Sequence, residues 1–344
     1  MGPRARPELN EEDKEMKSMK TGKSFRFAVA MMAAGSLAMA GVAQADEVVP
    51  GEAVIVGEEV VVVEEGCADC PVGNNGFITI AGGVDLYDKY FFRGLTQQTA
   101  GLQAQPWAEL SFQLVDNGDG PFQNVAFFVG TWASLNSKDL MYSNLPATET
   151  PMPLYELDLY VGVSASLGAG FSASVSYVNY LYPNNDLATI QEIDLGFSFD
   201  DSEHLGAFAL SPYVLFAFEV AGGGSGINQD KNGSYLEIGA EPGYTFNEDG
   251  STPVTVSAPI ALGMAIGEDY YYGGDTLGFA SLGLSASAPL SFVPAGYGDW
   301  SVWGGVTGVW QAATIRTGGT DWKPNFGGGI SMDCLLYTSD AADE

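Results

Sequence analysis

The segment LYELDLYVGVSA, Leu154–Ala165, sorts its side chains by parity. Tyr155, Leu157, Leu159, Val161 and Val163 fall on one side; Glu156, Asp158, Tyr160, Gly162 and Ser164 fall on the other. Alternation sustained over this length marks a β-strand with two unlike faces. The split recurs. Ile193, Leu195, Phe197 and Phe199 stand against Glu192, Asp194, Gly196 and Ser198. Val214, Phe216, Phe218 and Val220 stand against Ser211, Tyr213 and Glu219. Leu236, Ile238, Ala240, Tyr244 and Phe246 stand against Tyr235, Glu237, Gly239 and Glu241. Asp85 and Glu109 likewise lie opposite Val84, Leu86, Leu110 and Phe112.

Working outward, the same period predicts twelve strands near 77–87, 106–114, 124–135, 154–165, 170–181, 189–199, 210–220, 234–246, 253–264, 276–287, 300–312 and from 322. No stretch has a helical period. At about 3.3 Å per residue and about 45° of tilt, ten residues rise about 23 Å, the height of a membrane barrel's apolar band. Tight Gly/Asp turns at 166–170 and 247–252 alternate, imperfectly, with longer polar connections at 136–152 and 221–233. Parity alone also fits a soluble β-sandwich. The polar face decides for the membrane: it mixes acids with Gly, Ser and Tyr and lacks the lysines that blunt exposed sheet edges. The expected fold is therefore all-β, a transmembrane antiparallel up-and-down barrel of about 12 strands with its last strand cut short. With the N-terminus periplasmic, the longer connections would face outside.

Composition narrows the functions. The 344 residues carry 13 Lys+Arg against 43 Asp+Glu, one His, three Cys and 45 Gly, a net charge of −30. Nucleic acid is excluded as a partner for want of a basic footprint. A hydrophobic share of 46% is too high for a disordered acidic chain. A single His, His204, in an Asp-Ser-Glu-His turn argues against a histidine triad or zinc enzyme. The acid pairs Glu156/Asp158 and Glu192/Asp194 lack the loop of ligands a Ca²⁺ site needs. No enzyme activity, metal or cofactor is expected.

The ends read separately. Residues 1–15 form a polar upstream extension. Residues 16–45 are a signal peptide: basic Lys17, Lys20, Lys23 and Arg26, an apolar core from Phe27 to Val42, and the Ala43-Gln44-Ala45 cleavage site. Residues 46–75 form a flexible acidic leader of Val blocks and Glu pairs, whose Cys67 and Cys70 suit a local disulfide in an oxidising compartment better than redox catalysis. The barrel spans 76–333. The final CLLYTSDAADE, Cys334–Glu344, resembles a translated sequencing adapter, so the natural chain is expected to continue past Asp333 and no function is placed on Cys334 or Tyr337.

Specific residues also resemble the TorF-type (Gcw_chp) porin family. Asp85-Leu-Tyr-Asp-Lys-Tyr-Phe-Phe-Arg93-Gly94 is similar to its opening strand and Arg-Gly signature. Tyr155-Glu-Leu-Asp-Leu-Tyr-Val-Gly162 is similar to its Glu-x-Asp-Leu-Tyr strand, and Tyr177-Val-Asn-Tyr180-Leu-Tyr182-Pro183 to its Tyr-x-Tyr-Pro hairpin. The resemblance covers about 77–333 and implies an outer-membrane porin-like barrel with no catalytic residues. The expected activity is diffusion of small cationic or neutral solutes through an acidic lumen, which attracts cations and repels anions. The expected partners are outer-membrane lipid, those solutes and the barrel-insertion machinery. The candidate lumen residues are Asp85, Arg93, Glu109, Glu156, Asp158, Glu192, Asp194, Glu219, Glu237 and Glu241. Only six Lys and Arg lie between 46 and 333, so Arg93 either pairs with lumen acids at a constriction or anchors the first loop. Trp132, Trp300, Trp303 and Trp310 are candidate interface anchors. The rival reading is a closed structural or adhesive barrel plugged by its own Tyr and Trp side chains.

Overall fold

The computed structural model describes residues 75–99, 101–116, 120–137, 153–183, 188–221, 233–248, 250, 252–266, 270–271, 276–316 and 321–337. The expected signal segment, the expected leader up to residue 74, and with it Cys67 and Cys70, lie outside the described residues.

Among the described residues there are sixteen strands. They are β1 (Asn75–Tyr87), β2 (Tyr90–Phe92), β3 (Leu95–Gln98), β4 (Gln103–Asp116), β5 (Asn124–Asn136), β6 (Leu154–Gly168), β7 (Phe171–Leu181), β8 (Ile190–Phe199), β9 (Tyr213–Ala221), β10 (Ser234–Ala240), β11 (Gly243–Phe246), β12 (Val254–Ser257), β13 (Ile260–Ala265), β14 (Leu277–Pro289), β15 (Asp299–Gln311) and β16 (Trp322–Tyr337). A one-turn helix, α1 (Ser202–Leu205), sits in the β8–β9 connection. β2 and β3 pair only with each other. The rest make one antiparallel ladder that closes on itself where β1 meets β16.

That ladder is a 12-strand barrel, because two of its staves are broken. The runs expected at 234–246 and 253–264 each split, into β10 and β11 and into β12 and β13. Pro242 and Pro259 sit at the breaks. Proline has no N–H for the ladder, while both proline carbonyls still accept, Pro242 from Ala258 and Pro259 from Gly283, at 2.8 Å each. β16 continues through Cys334 to Tyr337 in register with Ile80, Thr79, Ile78 and Asn75, so closure is complete within the described residues. The β6–β7 turn is only Ala169–Gly170, both at positive φ.

The polarity is inside out for a water-soluble protein. Leu159, Val163, Val175, Ile193, Phe197, Ile238, Leu262, Leu282, Leu284 and Phe326 are exposed, whereas Glu156, Asp158, Glu192, Asp194, Glu219 and Glu237 are buried. Water would penalise both halves of that arrangement; a lipid bilayer around a closed barrel rewards it. The fold is a transmembrane antiparallel β-barrel.

Three expectations about faces need correction. Tyr155 does not share the outer face with Leu157: the register between β5 and β6 shifts at Ser134/Leu135, and Tyr155 is buried beside Tyr90. A bulge of this kind re-aims a side chain. Trp132 is buried against the Tyr90 ring. Trp303 points inward to donate from Nε1 to Asp85 Oδ1 at 2.7 Å. Neither tryptophan is a lipid-interface anchor.

Candidate functional site in the barrel lumen

The first long connection does not project into solvent; it folds inward as the β2–β3 hairpin. Its turn is Arg93-Gly94, with φ of +46° and +82°. Two successive positive-φ residues are what a tight two-residue hairpin needs, and Asn or Gly normally supplies the first. An arginine there carries a backbone cost of order 1–3 kcal/mol that surrounding contacts must offset. Gly94 is required twice over, since a Cβ would also lie 2.5 Å from Phe279.

The contacts that offset this strain come from strands all round the barrel. From β6, Tyr155 Oη donates to Gln97 Oε1 at 2.7 Å, and Glu156 Oε2 accepts from Tyr90 Oη at 2.7 Å. From β7, Tyr180 packs edge-on against Phe92. Gln311 of β15 donates to the Gly94 carbonyl and to Thr96 Oγ1, and Lys323 of β16 reaches Thr96 Oγ1 at 3.4 Å. Tyr271 Oη donates to the Arg93 carbonyl at 2.9 Å. Tyr90, Phe91, Phe92 and Leu95 are all buried. At about 1.5–3 kcal/mol each, those four side chains hold the hairpin in place without help from an ion pair.

Arg93, at the hairpin tip, pairs with acids of the barrel wall. Its Nη1 donates to Glu192 Oε1 at 2.6 Å and its Nη2 to Glu192 Oε2 at 2.9 Å, a two-pronged pair. Nη1 also donates to Tyr270 Oη at 2.8 Å. Nη2 stands 3.9 Å from Asp194 Oδ1. The guanidinium carbon lies 4.5 Å from the centre of the Tyr235 ring and 5.7 Å from that of Tyr270. Tyr180 Oη donates to the same Glu192 at 2.8 Å. An Arg over an aromatic face adds about 0.5–2 kcal/mol per contact when dry.

All ten candidate residues face the barrel interior, but they do not form one uniform ring. Glu192 pairs with Arg93 and Asp194 stands beside it; Glu192 and Glu219 are direct cross-strand partners, and Glu156 and Asp158 are buried on β6. Glu219 accepts the Gly233 N–H at 2.7 Å. Glu237 accepts from Tyr213 at 2.8 Å and from Tyr235. Glu156 accepts a second bond, from Tyr182 at 3.2 Å. Asp158 is the exception: it is 0% exposed and, among the described residues, neither carboxylate oxygen has a hydrogen-bond partner. Asp85 is held apart by Trp303, in space left by Gly329, where a Cβ would meet Asp85 Oδ1 at 2.1 Å. Glu109 is half-buried and accepts from Ser111 at 3.1 Å. Glu241 is half-buried at the Pro242 break.

The sequence reading missed the aromatic cage of Tyr90, Tyr155, Tyr180, Tyr235, Tyr270 and Tyr271. Only the alternation of Tyr90, Tyr180 and Tyr235 with apolar neighbours hinted at it; Tyr270 and Tyr271 belong to a connection and have no strand parity to read. Around the hairpin turn the enclosing side chains are almost inaccessible, Arg93 at 2%, Glu192 at 1% and Asp194 at 1%. Among the described residues, no three His, Cys, Asp or Glu side chains converge as metal ligands.

Residues 72–270, more than half of the chain, match the profile of a family described as bacterial protein of unknown function, Gcw_chp. The chain belongs to the Gcw_chp family. No curated protein matches it in sequence. Among solved structures it is similar to the COG4313 outer membrane channel from Pseudomonas putida F1, at 12% identity and a TM-score of 0.40, covering 79% of this chain and 100% of that one. It is also similar to the NanC porin, at 10% identity and a TM-score of 0.36, covering 74% and 98%. The translocator domain of the autotransporter NalP from Neisseria meningitidis gives 11% identity and a TM-score of 0.39, covering 76% and 88%.

Proposed function

We propose that this Gcw_chp protein is a non-enzymatic, porin-like channel of the bacterial outer membrane. We infer that it prefers cations and that the arrangement in which Arg93 fills the constriction is its closed form. The exported chain would be inserted by the barrel-assembly machinery, with the β2–β3 hairpin at the outer end, and would pass small cationic or neutral solutes by diffusion. The single observation behind this reading is the charge of the constriction: Glu192 and Asp194 stand against Arg93, and Glu156, Asp158 and Glu219 are buried on the same run of strands. Any path past the hairpin meets that excess of carboxylates in a low-dielectric setting, where it attracts cations and repels anions.

Reversal potentials across a planar bilayer test it. The protein should conduct in steps and favour K⁺ over Cl⁻. Combining Glu156→Gln, Asp158→Asn, Glu192→Gln and Asp194→Asn should move the reversal potential toward that of chloride; unchanged selectivity in a conducting variant would remove the acidic-lumen assignment. A second reading, a non-conducting structural barrel, draws on the near-zero exposure around Arg93. It predicts silence from protein whose folding is shown by heat-modifiable gel mobility.

A further inference from the structure

We propose that the acid–tyrosine cage is a binding site for guanidinium-type solutes, which the chain's own Arg93 occupies in the closed form. The proposal rests on the channel reading above, since it names a solute class for the same constriction.

The cage is built for a planar cation with several N–H donors. Glu192 offers both oxygens to one fork, Tyr270 Oη accepts a third bond, and Tyr235 presents its ring face 4.5 Å from the guanidinium carbon. Such a combination distinguishes a guanidinium from a compact, strongly hydrated ammonium or metal ion. The lack of converging metal ligands among the described residues points the same way.

The site also has more acceptor capacity than Arg93 uses. Asp158 faces the same interior, is fully buried and, among the described residues, has both oxygens unpartnered; Asp194 Oδ1 likewise accepts no hydrogen bond there and sits 3.9 Å from Nη2. Buried carboxylates without partners are expensive, and their natural complement is a donor-rich cation. Arg93 itself is presented on the tip of a hairpin from a strained turn, with φ of +46°. A solute guanidinium can therefore take over Glu192 and Tyr270 while the Arg93 side chain, relieved of its partner, turns toward Asp158 or out of the cage. Ligand and Arg93 then compete for one set of acceptors, so removing Arg93 should raise affinity.

The experiment is calorimetric titration of the full chain, folded in detergent micelles, with methylguanidinium, potassium and tetramethylammonium chlorides. Arg93→Gln should bind methylguanidinium at least tenfold more tightly than the unaltered protein. Arg93→Gln combined with Glu192→Gln should lose at least that factor. Potassium and tetramethylammonium should gain nothing from Arg93→Gln. Equal gains for all three cations, or none for methylguanidinium in folded Arg93→Gln protein, would overturn the proposal. Should Arg93→Gln fail to fold, hydrogen exchange on the unaltered protein decides: millimolar methylguanidinium, but not potassium, should speed exchange at 90–98, and no difference would overturn it. Calorimetry needs no conductance. Binding with a silent bilayer would uphold the cage and remove the channel reading, whereas conduction without binding would do the reverse.

Discussion

Along β5 to β9 the two ends of the inner wall follow opposite rules. Register across β5 to β9 sets out five rows of inward side chains, running away from the hairpin. They are Trp132–Asp158–Tyr180–Ile190; Gly130–Tyr160–Val178–Glu192–Glu219; Phe128–Gly162–Ser176–Asp194–Ala217; Ala126–Ser164–Ser174–Gly196–Leu215; and Asn124–Ser166–Ser172–Ser198–Tyr213. In the first three rows large rings fill gaps left by glycine. A Cβ on Gly130 would meet Tyr160 at 2.3 Å, and one on Gly162 would meet Phe128 at 2.4 Å. In the last two rows serine dominates, and Ser164, Ser174 and Ser198 are only half-buried. Twelve staves enclose more volume than serines can fill. Along β5 to β9 the inner wall is thus a packed core with charges in it toward the hairpin and a serine-rich, partly half-buried face away from it.

The difference predicts where substitutions hurt. Arg93→Gln has the largest expected effect, because it strands Glu192 and Asp194 in a buried setting. Removing one partner of such a pair costs about 3–5 kcal/mol. Ser174→Ala, one turn of the ladder into the serine-rich face, should stay within about 0.5 kcal/mol. Urea midpoints read from the folded and unfolded gel bands compare them directly. Equal losses would mean that the interior is one continuous core and the division is false.

Gly94→Ala comes next. The new methyl meets Phe279 in a backbone conformation that L-residues avoid, for a cost of order 1–3 kcal/mol. Gly304→Ala in β15 is the control: its Cβ would have only the Gly327 carbonyl within 4 Å, at 3.8 Å. The same urea series should show Gly304→Ala near neutral. A neutral Gly94→Ala would indicate that the hairpin turn adapts, and with it the closure of the lumen.

How much of this was legible in the sequence follows from what parity can and cannot encode. Alternation depends on neighbours in the chain, so the twelve staves and the inward carboxylates of β6, β8, β9 and β10 could be read from Glu156, Asp158, Glu192, Asp194, Glu219 and Glu237 alone. The breaks at Pro242 and Pro259 were visible as prolines, yet hydrophobicity runs through them unchanged. The hairpin was not legible: Tyr90-Phe91-Phe92 looks like a continuation of β1, and its burial depends on Tyr155, Gln311 and Lys323, which come from far along the chain. Tyr155 itself was misplaced because a one-residue bulge reverses parity.

Tyr90→Phe sharpens the core side of the comparison at a lower level. It deletes one of the two hydroxyls that bind Glu156 while keeping the ring against Trp132. The expected loss is about 1–2 kcal/mol, since Tyr182 still donates. Tyr182→Phe should cost less, because its bond is longer, 3.2 Å against 2.7 Å. The reverse order in urea midpoints would place the weight of Glu156 binding on the β7 side.

The smallest effect lies beyond the serine-rich face, in the β8–β9 connection. There Asp201 accepts the backbone N–H groups of Leu210, at 3.0 Å to each carboxylate oxygen, and Ser211, at 2.9 Å; Ser211 is held at φ +47°. The Ser211 N–H, then that of Leu210 and the charge of nearby His204, hold this carboxyl below its ordinary pKa. A depressed carboxylate binds fewer protons in the native state than in the unfolded one. Its contribution is therefore complete above a pH of about 4 and fades as pH falls below it. Hydrogen exchange, corrected for intrinsic rate, should show protection of the Leu210 and Ser211 amides dropping between pH 5 and pH 3. Protection in β8 should hold steady over the same range. Asp201→Asn keeps one acceptor and cannot titrate, so its profile should be flat and start lower. A pH step that survives in Asp201→Asn would show that the Asp201 carboxylate is not what orders this connection.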